Sequence, residues 1–63
     1  MKVQEVKPGQ LLSSQELADF LKVPINTIHR WRSNGNAPKA VRVGRHLRFA
    51  VSDVLQWMED RSR

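Results

Sequence analysis

Residues 13–33 read SSQELADFLKVPINTIHRWRS, and this stretch decides the fold. Ser13 and Glu16 stand in the S-x-x-E spacing of a capping box, in which each side chain satisfies the other residue's free backbone N–H. Leu17, Ala18 and Leu21 then share one helical face, with Gln15 and Asp19 turned away. Pro24 disfavours the helical conformation at Val23, so the first helix is expected to end near Lys22. Pro24 itself suits the first turn of a second helix, where a missing N–H costs nothing. Ile28 and Trp31 mark that helix's buried stripe, Gly35 fits a left-handed cap after Asn34, and Pro38 prevents continuation. Two short helices joined by a three-residue turn form a helix-turn-helix unit.

Beyond this unit the period changes. Val41 and Val43 alternate with Arg42, and Leu47 and Phe49 with Arg48, which reads as a β-hairpin. A three-residue loop, Gly44-Arg45-His46, would pair Val43 with Leu47 and Val41 with Phe49. All four apolar side chains would then share a buried face, and Arg42 would oppose Arg48, an unfavourable pair unless an anion comes between them. Ser52 is expected to cap a last helix, with Asp53 at its positive end. Val54, Leu55, Trp57 and Met58 would cover one side of that helix, while Gln56, Glu59 and Asp60 face water. The expected fold is α+β, mainly α: a winged helix-turn-helix of two short helices, a hairpin wing and a C-terminal helix. Residues 1–10, with Pro8-Gly9 as a break, read as a flexible arm, 11–60 as the folded domain and 61–63 as a short basic tail.

At 63 residues this is one domain, and a chain so short buries only about 60% of its unfolded surface. There is no cysteine, and His29 and His46 stand apart, so neither a disulfide nor a metal is expected to staple the fold, and no cofactor is implied. No secretory signal and no membrane-length apolar run is present, so the expected location is the cytoplasm, with no membrane partner.

The net charge of +5 is unevenly spread. Between Phe20 and Ser52 lie Lys22, Arg30, Arg32, Lys39, Arg42, Arg45 and Arg48, with no Asp or Glu among them. The other four basic residues share the rest of the chain with all six acids, leaving that part at −2. An acid-free, arginine-rich block points to a polyanion partner, double-stranded DNA.

With Ile28 and Trp31 turned inward, Asn26, Arg30 and Ser33 point most directly outward on the second helix. Thr27 and His29 flank them, and Arg32 falls nearer the buried side. These side chains suit base edges: Arg forks to guanine, Asn pairs with adenine, and hydroxyls take either role. Arg45 and His46 belong to a thin projecting loop of a kind that enters a narrow, negative minor groove, and Arg42 and Arg48 flank it. Phe20, Trp31, Phe49 and Trp57 stand at core spacing and read as packing residues. No Gly-rich phosphate loop, nucleophile–base pair or metal-ligand spacing is present, so neither an enzyme nor a small-molecule substrate is expected.

Taken as a set, Leu12-Ser13, Glu16-Leu17-Ala18, Leu21, Thr27 to Trp31, Gly35, Pro38, Val41 to Arg45, Arg48-Phe49, Ser52-Asp53-Val54 and Trp57 resemble the excisionase family of winged helix-turn-helix proteins, over residues 12–58. The resemblance implies a phage or mobile-element recombination directionality factor acting in a bacterial host. Such a protein puts its helix in the major groove and its wing at the minor groove. Several copies bind side by side and bend DNA, steering a site-specific integrase toward excision. By position it implies groove contacts from Asn26, Thr27, His29 and Arg30 and a wing contact from Arg45. Lys22 and Pro24 depart from the pattern, standing where a glycine and a serine-like cap are common. Longer members meet integrase through a C-terminal tail. Here Asp60 to Arg63 are expected to follow the last helix, so that contact would be smaller or lie elsewhere. The same fold also serves small phage or plasmid transcriptional regulators, and it resembles the DNA-binding half of MerR-type regulators. A module binding an acidic protein is the remaining alternative.

Overall fold

The computed structural model describes residues 9–62. Residues 1–8, most of the expected arm, and Arg63 of the expected tail lie outside them. In chain order the elements are β1 (Leu11–Leu12), α1 (Ser14–Leu21), α2 (Ile25–Ser33), β2 (Val41–Val43), β3 (His46–Ala50) and α3 (Val51–Arg61). Three helices and an antiparallel sheet of order β1-β3-β2 make the winged helix-turn-helix that the sequence implies.

The capping box forms. Glu16 N–H donates to Ser13 Oγ at 3.1 Å, and Ser13 N–H donates to Glu16 Oε1 at 2.8 Å. Leu12, just before the cap, and Leu17, one turn inside, are both buried, the placement of a hydrophobic staple that fixes the chain's entry angle.

Helix α1 ends at Lys22, which adopts the left-handed conformation at φ 60°, ψ 45°. Lys22 N–H bonds Asp19 O at 3.2 Å, and Val23 N–H bonds Ala18 O at 3.0 Å. Helix α2 ends in the same paired pattern: Gly35, at φ 75°, bonds Arg32 O and Asn36 bonds Trp31 O. Both are Schellman closures. The turn between the helices therefore closes tightly with lysine where glycine is common. Pro24 stands just ahead of α2, as its cap, and supplies no side-chain bond.

The core comprises Leu12, Leu17, Ala18, Ile28, Phe49, Val51 and Val54, with Phe20, Leu21, Val23, Ile25, Trp31, Ala40 and Leu47 packed around it. Trp31, expected inside with Ile28, is only half-buried.

Three expectations need correction. The hairpin loop has two residues, not three, and the register is Val41↔Arg48, Arg42↔Leu47 and Val43↔His46. Gly44 takes φ 65° at the first loop position and Arg45 has no positive φ, the arrangement of a two-residue turn with glycine first. Because this register pairs Val41 with Arg48 and Val43 with His46, the hairpin turns Leu47 and Phe49 inward while Val41 and Val43 stay 42% and 48% exposed. A one-residue slip exchanges the two faces of a strand. Arg42 accordingly faces Leu47 and not Arg48, and His46 is a strand residue.

The second correction concerns α3, which begins at Val51 directly from β3, with Ala50 as its cap and Ser52 exposed in its first turn. Val51 is buried and its N–H donates to Gln10 O at 2.9 Å, so the start needs no hydroxyl. That bond also ties Gln10, expected in the arm, to the domain. The helix continues through Arg61, which was expected in the tail.

The third correction is that Leu55 and Met58 do not cover the core. They are 46% and 39% exposed.

Candidate nucleic-acid interface

On α2 the capping turn at Pro24 and the burial of Ile28 fix which face looks outward. Asn26, His29, Arg30 and Ser33 are exposed and Thr27 is half-buried. Arg32, which the helical period places nearer the core, is exposed as well and extends this polar face. Its long side chain carries the charge outward from a Cα on the flank.

The hairpin distributes its cations differently from the sequence expectation. Residues paired across an antiparallel ladder point to the same side of a sheet. His46 and Arg48 therefore share the outer face with Val43 and Val41, while Arg42 stands on the side of Leu47. Arg45 occupies the exposed tip. Three arginines thus point in three directions. Arg48 is half-buried, and its Nη1 donates to Leu47 O at 2.8 Å.

Among the described residues, the side chains of Asn26, Thr27, His29, Arg30, Ser33, Arg42, Arg45 and His46 have no internal hydrogen-bond or ion-pair partner. Their donors and charges are uncompensated, which suits a surface that meets an anion. The α2 group and the hairpin group sit on separate elements: α2 packs on α1, and β3 packs on α1 and α3. The segment between Ser33 and Val41 joins them.

Sequence reasoning missed a cluster at the far end of α2. The rings of Trp31 and Trp57 lie 5.4 Å apart with planes tilted by 50°, and Arg61 stacks over both. The available signal was the one-turn spacing of Trp57 and Arg61 on the last helix.

No group of acidic, histidine or cysteine side chains able to hold a metal occurs among the described residues. None of the helices they form is long and apolar enough to cross a membrane.

No curated protein matches the chain. The family profile of the helix-turn-helix domain matches residues 11–62, from the start of β1 to Ser62, the cap of α3. Domains of this kind bind DNA and are typically non-enzymatic. With most of its length covered by that match, the chain belongs to the helix-turn-helix domain family.

Proposed function

We propose that this protein is an excisionase-type architectural factor. It reads DNA through α2 in the major groove and Arg45 in the minor groove, binds tandem sites cooperatively, bends the duplex and directs a site-specific integrase to excision. The observation that carries the DNA reading is the uncompensated outer face of α2, Asn26, His29, Arg30 and Ser33, on a chain whose arginine-rich middle segment contains no acid. The resemblance of residues 12–58 to excisionases supports the recombination role.

Tandem binding has support of its own. The exposed large apolar residues fall on two surfaces. Leu11, Val41 and Val43 share the outer sheet face with His46 and Arg48. Leu55 and Met58 lie on one side of α3 with Glu59. One surface is cationic and the other acidic, so the α3 of one copy suits the sheet of the next, head to tail. A single small module has limited contact area and specificity, which neighbouring copies would supplement.

The test begins with selection of bound sequences from a random duplex pool. Gel shifts then compare one selected site with several, and an excision assay adds the protein to integrase and attachment-site DNA. A monomer in solution, a steep laddered titration and stimulated excision are expected. Independent filling of sites, or a stable free dimer, with no effect on excision would favour the transcriptional regulator.

A further inference from the structure

Helix α2 has one fully buried residue, Ile28, and rests against α1. Its far end is held by another device. Trp31 leans on Trp57 of α3, and Arg61 lays its guanidinium over both rings, 4.8 Å from the centre of Trp57 and 5.3 Å from that of Trp31. Trp57 Nε1–H also donates to Asn36 O at 2.8 Å. Asn36 in turn donates its backbone N–H to Trp31 O at 2.7 Å. Trp31, Trp57 and Asn36 therefore form a closed ring of contacts. It joins the end of α2, the first residues of the segment leading to the wing, and α3. The indole N–H makes the ring directional, since a tryptophan packed only by its faces can slide.

We propose that Trp57 and Arg61 are positioning residues for DNA recognition. They hold the end of α2 and the start of the connecting segment in one arrangement, so that α2 and the hairpin meet a duplex at a fixed spacing. Neither residue lies on the outward face of α2 or at the hairpin tip. The clamp acts before binding, by removing the ordering cost of bringing two separate elements onto one DNA surface. The inference rests on the reading of α2 and the hairpin as the DNA interface.

The test uses the full chain, Trp57→Phe and Arg61→Met, with Ser52→Ala, an exposed position on the same helix, as control. Trp57→Phe keeps an aromatic ring and removes the N–H donor; Arg61→Met keeps packing and removes the cation. Thermal unfolding establishes the fold of each variant. The chain has only two tryptophans, so near-ultraviolet spectra report on the clamp directly. Affinity is measured on a selected site and on random duplex over a range of salt. The expected result is folded variants with altered tryptophan spectra and about five- to tenfold weaker specific binding. Random binding should change less, and the salt slope should match the parent, because no phosphate contact is lost.

Undiminished specific affinity in a folded Arg61→Met would overturn the proposal. So would an equal loss on both DNAs with a slope lower by about 0.9, which marks Arg61 as a phosphate contact. If Trp57→Phe fails to fold, Arg61→Met decides alone. Failure of the underlying DNA reading is separable, because the parent chain itself would then show no sequence preference.

Discussion

Lys22 closes α1 in the same left-handed conformation with which Gly35 closes α2. The two positions make the same pair of backbone bonds, yet only glycine adopts this geometry without a Cβ penalty. Lys22→Gly is expected to raise stability by about 0.5–1 kcal/mol, and Gly35→Ala to lower it by about 1 kcal/mol. A Cβ at Gly35 would meet nothing within 4 Å, so the loss there is conformational and not a clash. Urea titrations of both variants check the signs; Lys22→Gly loses if the lysine makes a stabilising contact in solution.

Phe49 is fully buried at the centre of the sheet, opposite Leu12. Phe49→Ala should cost about 3–5 kcal/mol, comparable with the whole stability of so small a core. Circular dichroism at room temperature should show a largely unfolded chain.

The capping box predicts a smaller effect. Ser13→Ala removes the acceptor for Glu16 N–H and should cost about 1 kcal/mol without altering the fold. A thermal melt is sufficient to measure it.

On the proposed interface, Arg30→Ala should weaken specific DNA binding by about 1–3 kcal/mol and relax preference at one base position. Equal losses on selected and random duplex would instead make Arg30 a phosphate contact.

The hairpin arginines should not behave alike. Arg45→Gln, at the exposed tip, is expected to reduce the log–log salt slope by about 0.9. Arg48→Gln should change it less, since that guanidinium already donates to Leu47 O. Binding isotherms over a range of salt for each single variant separate the two.

The legible parts of the fold were those written in local chemistry. The Ser13–Glu16 box and the Lys22 to Pro24 turn depend on neighbours in sequence, and the outward face of α2 follows from one buried residue, Ile28, and a fixed period. The hairpin was legible as a hairpin, but its register depends on whether two or three residues form the loop, and Gly44-Arg45-His46 suits either count. The partner that makes β3 central is β1, two residues with no periodic signal. The residue just ahead of that strand bears on the earlier start of α3, because Gln10 O accepts from Val51 N–H, a bond between residues far apart in the chain. The clamp at Trp57 and Asn36 was hidden for a similar reason, as it joins residues far apart in the chain.

The β1–β3 pairing also orders the assembly of the protein in time. The helix pair and the β2–β3 hairpin each form from contacts close in sequence, whereas Leu12 and Phe49 sit near opposite ends of the domain. Joining them closes a long loop, and its chain entropy is lost before the sheet contacts repay it. Strand β1 is therefore the late-docking piece. Substitutions at Leu12 should accelerate unfolding while leaving the folding rate nearly untouched, whereas changes at the α1–α2 turn should act on folding itself.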